Sequence, residues 1–312
     1  MPLLRKIGVI AAKVETTPGT AVSLSASDAN LLAYDPMVAP AVEMVDRPKL
    51  GSFNYHTNAR GLMEATATFR TDFIPNNSNA TSPVWAETLL PACGWVQSSD
   101  TFTATDEAPG SNVKTLTIAL YQNGRITKMV GAVGDFTIVM ESGKPAAIDW
   151  SFRGVLAAGT EASATAFVTD GAILAPTWDT VTPWRSASTM TLAGSYNPLI
   201  QSATFASGNE MQLRECNTTA AGYLSGIITG RTSTLSVNPE AGLVATDDTY
   251  GDWRTMASYA TNIVMTDGSK KVTIASAACQ TMSVSQSDRN GIVVDDMEIR
   301  YNTPPTIVFA SA

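Results

Sequence analysis

Polar and apolar residues alternate along much of this chain with the two-residue period of a half-buried β-strand. Between Leu62 and Phe73, the residues Met63, Ala65, Ala67, Phe69 and Phe73 fall on one face, and Glu64, Thr66, Thr68, Arg70 and Asp72 fall on the other. Leu116–Leu120 and Arg125–Met129 flank Asn123-Gly124, a dipeptide that accepts the positive φ angles of a tight type I′ turn, so they predict a hairpin. Leu199–Phe205, Tyr223–Thr229 and Arg231–Val237 also read as strands. Helical signals are few and short. Ser82-Pro83 opens a helix over Pro83–Leu90 with Trp85 and Leu89 on one face, and a second short helix over Asp252–Met256 carries Trp253. The segments 46–60 and 71–82 have loop composition.

One strand–turn–strand unit occurs twice. The first copy runs from Gly134 to Met140, turns through Glu141–Lys144, and returns over Ala146–Arg153. The second runs from Cys279 to Gln286, turns around Asn290-Gly291, and returns over Val293–Arg300. The returning strands align without a gap, Asp149 on Asp296, Trp150 on Met297, Phe152 on Ile299 and Arg153 on Arg300. Strand, loop, Trp-bearing helix and hairpin follow one another in both halves, which predicts a duplicated domain. A length of 312 residues suits two domains, since a domain usually takes about 100–200 residues. The expected boundary gives residues 1–171, with an N-terminal arm and long loops, and residues 172–312. The predicted fold class is mainly β, two tandem sandwich or barrel domains, each flanked by a short helix.

The chemistry-bearing residues are sparse. Twenty basic against 28 acidic residues leave a net charge of −8, with no basic cluster to grip nucleic acid. Three cysteines far apart, Cys93, Cys216 and Cys279, offer neither a disulfide framework nor a Cys/His metal site, and read as small buried hydrophobes in a cytoplasmic protein. His56 is the only histidine and has no nucleophile signature beside it. Asp295, Asp296 and Glu298 resemble metal ligands in one dimension only: strand alternation puts Asp296 and Glu298 on one face, and Asp295 on the other with Val293, Met297 and Ile299, where a carboxylate suggests a subunit contact. Gly131–Gly134 lacks the third glycine of a dinucleotide motif. No run approaches the roughly 20 apolar residues of a membrane helix. The residues therefore call for no catalytic group, metal or cofactor, and for a protein that is not an enzyme.

Several stretches resemble the major tail proteins, or tail tube proteins, of long-tailed phages. They include Ile10–Lys13, Glu15–Ala21, Ala26–Leu32, Asp46–Gly51, the alternating strand 62–73, the unit Gly131–Ile138 with Gly143–Ile148 and Phe152–Gly154, and, later, Asn197–Ile200, Gly208-Asn209 and Ile228–Arg231. The resemblance covers most of the chain. It implies a structural virion protein whose tube domains close into six-domain rings, so that a chain with two such domains forms a homotrimer of pseudo-sixfold symmetry. Rings stack around a lumen that conducts genome DNA non-specifically, with a tape-measure protein and tail terminator and distal tail proteins as further partners, no membrane, assembly in the host cytoplasm, and residence in the virion tail. An acidic and hydroxyl-lined bore would repel phosphates and let DNA slide. The strand faces turned away from the core then give lumen-facing candidates Asp135, Thr137, Glu141, Asp149, Ser283, Ser285, Asp296 and Glu298, although the same face could meet a neighbouring subunit. Ring-to-ring candidates come from the long loops: Asp46, Arg47, Lys49, Tyr55, His56, Arg60, Asn76 and Asn77. A flexible arm over residues 1–30 could serve the same contact.

The rival reading is a phage or bacterial surface β module, a decoration protein or adhesin that binds glycan. It expects a monomer or small oligomer and an exposed aromatic patch, for which Trp178 and Trp184 are the candidates. A carbohydrate-active β enzyme with a distant carboxylate pair is the third reading, and nothing in the sequence selects such a pair.

Overall fold

A computed structural model describes residues 8–75, 82–107, 113–122, 125–157, 167–169, 189–192, 196–245, 248–267 and 270–311. The first half holds strands β1 (Gly8–Val14), β2 (Ala33–Pro48) and β3 (Tyr55–Asp72), helix α1 (Val84–Leu89), and strands β4 (Trp95–Ser98), β5 (Thr101–Ala104), β6 (Leu116–Gln122), β7 (Arg125–Glu141), β8 (Ala147–Leu156) and β9 (Phe167–Thr169). The second half holds β10 (Thr189–Thr191), β11 (Ile200–Ala206), β12 (Asn209–Glu215), β13 (Tyr223–Arg231), β14 (Thr234–Pro239), helix α2 (Thr249–Thr255), β15 (Tyr259–Asp267), β16 (Lys270–Arg289), β17 (Ile292–Tyr301) and β18 (Thr306–Ser311). The fold is mainly β, and every strand pairing is antiparallel.

The pairings themselves recur. In the first half β2 pairs β3, β3 pairs β8 and β8 pairs β7, while β7 also takes β6 and β9, and β6 takes β1. In the second half β11 pairs β14, β14 pairs β17 and β17 pairs β16, while β16 also takes β15 and β18, and β15 takes β10. A helix follows the third strand of each series, α1 after β3 and α2 after β14. Registers agree as well: Trp150 lies opposite Phe69, and its counterpart Met297 lies opposite Val237. Two hairpins interrupt the correspondence, β4–β5 in the first half and β12–β13 in the second. Two further pairings, β11 against β7 and β18 against β5, join the two halves into a single sheet in the order β2-β3-β8-β7-β11-β14-β17-β16-β18-β5-β4.

Directly opposed residues of antiparallel strands share a face, so the registers define the core row by row. One row is Ile138, Phe205, Leu235, Ile299 and Thr281; another is Met140, Ala203, Val237, Met297 and Val284. In the first half this face is aromatic. Trp85 of α1 meets Trp150 edge-on with ring centroids 6.0 Å apart, Trp95 lies 5.5 Å from Phe136, and Phe69 stacks on Phe152 at 5.8 Å. A single apolar cluster extends from Ile10 to Phe309, through both halves. The expected boundary at residue 172 lies outside the described residues.

Three expectations need correction. The segment 46–60 is not a free loop: β2 and β3 continue past the core as a hairpin arm, with Val45 opposite Ala59 and Pro48 opposite Tyr55. Val42, Met44, Val45 and Tyr55 have the side chains of strands, but no core face lies beneath them, so the periodicity that marks a half-buried strand is missing. Pro48 ends β2 by removing a donor. The N-terminal segment is not a loose arm either. Gly8–Val14 pairs with β6 along its whole length, and Glu15 behind it is buried, accepting from the hydroxyls of Thr115 (2.6 Å) and Thr117 (2.9 Å) and the N–H of Gly131 (2.8 Å). Segment 71–82 begins as the end of β3, and residues 76–81, with Asn76 and Asn77, lie outside the described residues.

The helices form where the sequence places them. Trp85 and Leu89 are both buried, and Gly94 takes φ +74° beyond the 3-10 turn at 90–93 that extends α1. The second helix begins earlier than expected, at Thr249, because the Asp248 carboxylate caps it by accepting from the Gly251 N–H at 2.8 Å. Asn290 and Gly291, at φ 54° and 85°, make the two-residue turn between β16 and β17.

Candidate assembly surface

Opposite the core, the same registers gather one polar face across seven strands. Arg70, Asp149, Thr137, Ala206, Thr234, Arg300 and Gln280 form one row from β3 to β16. Val139, Thr204, Ser236, Glu298 and Ser283 form the next. Glu141 opposite Ser202, and Asp296 opposite Ser285, extend it. Every one of the lumen-facing candidates therefore lies on this face, including Asp135, which pairs with Ser151. Alternation puts them together because the opposite face of these strands is packed.

Their surroundings differ. Ser283, Ser285 and Glu298 are exposed, and so is Asp149, whose Oδ1 lies 3.6 Å from the Arg70 guanidinium. Glu141 pairs with Lys144 across the turn. Arg153 is neutralised by Glu64 at 2.7 Å. Carboxylates and hydroxyls thus dominate the open part of the face, and the arginines of its first-half part are paired.

Asp135 is covered by the β12–β13 hairpin, which lies across β7 and β8 on this face. The Asn209 N–H donates to Asp135 Oδ1 at 3.0 Å, and burial pushes the Asp135 carboxyl above its ordinary value, against the backbone donors and Arg231 that pull it down. The hairpin is held by a polar latch. The Asn209 side-chain amide donates to the carbonyls of Cys93 (2.8 Å) and Gly134 (2.9 Å), and Arg231 donates to Asn209 Oδ1 (2.8 Å) and to the Gly94 carbonyl (2.9 Å). Arg153 reaches the Met211 carbonyl at 3.4 Å. Gly226 lets the backbones meet: a Cβ there would stand 2.6 Å from Val133 Cγ2 and 3.0 Å from the Gly131 carbonyl. Sequence reading missed this latch, although Gly208-Asn209 and Ile228–Arg231 were the text that carried it.

The β2–β3 arm forms the second part of the surface. Residues 41–60 are all exposed. Asn58 donates to Asp46 Oδ1 at 2.9 Å, and Arg47 lies 3.5 Å from the Thr57 carbonyl. Arg60 donates to the Ala220 carbonyl at 3.0 Å, the arm's link to the β12–β13 hairpin. Lys49, Tyr55 and His56 project from the outer part, beside Leu50 and Phe53, which are 102% and 105% exposed. Leu50 and Phe53 thus have no apolar cover within the described residues.

Other singled-out residues have local explanations. Asp295 is buried and meets Tyr250 of the same chain, whose pKa is raised by burial first and then by the charge of Asp295 and its hydrogen bond. Cys93 and Cys279 are buried, burial pushes both thiols up, and Cys216 is half-buried. Among the described residues no three His, Cys, Asp or Glu side chains converge to hold a metal ion. Among them, too, no helix is long and apolar enough to cross a membrane. Trp178 and Trp184 lie outside the described residues. Comparison with models of known protein families and with curated proteins gives no match.

Proposed function

We propose that this chain is a structural subunit of a phage tail tube, built from two tandem β domains and closing as a trimer into pseudo-sixfold rings that stack around a DNA-conducting lumen. The observation that carries this reading is the polar face that runs over seven strands, with carboxylates and hydroxyls on its open part and a packed core behind it. Such a face, curved into a bore, presents Thr137, Asp149, Ser283, Ser285, Asp296 and Glu298 to passing phosphates. Carboxylates repel a polyanion, and hydroxyls hydrate it without the counterion release that makes basic surfaces adhere. The arm, with Asp46, Arg47, Lys49, Tyr55, His56, Arg60 and its bared Leu50 and Phe53, supplies contacts from one ring to the next. Tape-measure, terminator and distal tail proteins would set tube length and cap its ends. The protein acts in the virion tail and performs no chemistry.

Negative-stain electron microscopy of the purified protein, with light scattering to count chains per particle, tests the reading. Rings or hollow tubes built from trimers support it, and hexameric rings keep the tube but remove the tandem domains. A monomer that never assembles at high concentration favours the glycan-binding surface module. Replacing Asp149, Asp296 and Glu298 together by Lys should leave tubes intact and slow DNA release; unchanged release removes the lumen assignment.

A further inference from the structure

The joint between the two halves is a template for the joint between two copies of the chain. β11 seats on β7 with Ala206 opposite Thr137, Phe205 opposite Ile138, Thr204 opposite Val139, and Ser202 opposite Glu141. The counterpart of β7 is β16, and over Thr281–Arg289 it pairs with β17 alone among the described strands; Trp253 of α2 donates to the Met282 carbonyl at 3.0 Å, and from Ser283 to Arg289 the other edge has no strand on it. The counterpart of β11 is β2, which ends the sheet and pairs with β3 alone. Even the irregularity is shared, since β2 slips register between Tyr34 and Met37 and β11 slips between Ile200 and Ala203. Each chain therefore carries one half-joint on β2 and the other on the outer edge of β16.

We propose that β2 of one copy pairs antiparallel with the outer edge of β16 of a second copy, in the register of β11 on β7. This deepens the ring reading, on which it rests for closure, by naming the contacts. Transferred through the matching pairs, the register sets Ala39 opposite Ser285 of the second copy, Val38 opposite Gln286, Met37 opposite Ser287 and Asp35 opposite Arg289. Met37 and Ser287 then both lie on the polar face, as Thr204 and Val139 do within the chain.

Two observations independent of the edge geometry point to the same occupant. Arg289 spends one side of its guanidinium on Glu240, while its Nη1 is buried with no hydrogen-bond partner, and the register brings the Asp35 carboxylate of the second copy to that residue. The arm supplies the other. The β12–β13 hairpin lies between β11 and β14 and covers β7 and β8; the arm occupies the same place between β2 and β3 and, apart from Arg60 on the Ala220 carbonyl, covers nothing among the described residues of its own chain. Seated equivalently, it lies over β16 and β17 of the second copy, where Met282 and Ile292 are bared as Met44 and Val45 are on the arm. Pro36 and Pro40 have no donor, so the β2 edge can pair over only a short run, which guards against pairing in other registers.

Disulfide trapping reads the register directly, because two cysteines whose Cα atoms are more than about 7 Å apart cannot be bridged. In a Cys216→Ser background, Met37→Cys with Ser287→Cys should give disulfide-linked oligomers on oxidation, and Met37→Cys with Ser283→Cys should not. All the changed positions but Cys216 are exposed, so folding is spared. Asp35→Asn, which keeps the positive φ of 47° within reach, should weaken association about threefold and lessen its salt dependence. Linking through 283, or through neither position, overturns the proposal, and so does assembly of Asp35→Asn indistinguishable from the parent. The tube reading fails separately: linked oligomers that never form rings or tubes leave the pairing standing without the tube, and rings that do not link at 37/287 leave the tube standing without this pairing.

Discussion

The hairpins β7–β8 and β16–β17 share pairing, register and place in the sheet, yet they are covered differently. The first carries Phe136, Trp150 and Phe152 beneath Trp85 and Trp95, accepts β11 along its outer edge, and lies under the latched β12–β13 hairpin. The second carries Val284, Met297 and Ile299, has α2 beside it with Trp253 38% exposed where Trp85 is only 6% exposed, and keeps its outer edge open. One topology has been finished within the chain and left unfinished at its end. Repetition of a strand order does not repeat the packing around it, and the uncovered copy is where the proposed pairing falls.

Core truncation should separate the hairpins most strongly. Trp150 is fully enclosed and also donates from Nε1 to Thr71 at 2.9 Å, so Trp150→Ala should cost about 4 kcal/mol, near the upper range for aromatic truncations. Met297 has no such donor and a thinner cover, and Met297→Ala should cost about 2 kcal/mol. Urea unfolding of the two variants measures the difference; equal losses would mean that the second half is as tightly packed as the first.

The latch comes next. Arg231→Ala leaves Asn209 Oδ1 without its Arg231 donor and the Gly94 carbonyl with only the Thr105 N–H, and should destabilise the chain by about 2 kcal/mol. Arg60→Ala on the arm loses one exposed hydrogen bond and should shift stability by less than about 0.5 kcal/mol. Phe53→Ser at the arm's tip should change stability by no more than that while abolishing stacking of rings, seen by electron microscopy. A large loss of monomer stability from either arm variant would mean that the arm belongs to the fold rather than to assembly.

The sequence was most informative where strands have one wet face and one dry one. β3, β8 and β17 were legible because Phe69, Trp150 and Ile299 alternate with Arg70, Asp149 and Glu298, and the assignment of the polar face followed from the same alternation. The outer parts of β2 and β3 were hidden, since a strand exposed on both faces has no periodicity to betray it. β12 was hidden for a related reason: Asn209–Glu215 is polar on the surface of a sheet whose own partner face is polar. The latch brings together Cys93, Gly134, Asn209 and Arg231, which are remote in the chain, and only the folded backbone makes them neighbours.

Acid titration gives the finest test of the comparison, because Asp135 is the polar-face carboxylate that the chain itself covers. Burial raises its pKa in the fold, so the folded state holds this proton more tightly than the unfolded chain does. The group's contribution to stability is therefore greatest at low pH, falls as pH rises from the ordinary carboxylate value through the raised one, and is constant above it. Asp135→Asn keeps an oxygen to accept from the Asn209 N–H and removes the titration. The variant should be more stable than the parent at neutral pH, with the advantage shrinking as pH falls through the raised value towards that of an ordinary carboxylate. Urea midpoints of the two proteins across that range decide it. Parallel profiles would mean that the β12–β13 hairpin leaves Asp135 as well hydrated as an open-face carboxylate, and the contrast between a covered and an uncovered hairpin would lose its electrostatic half.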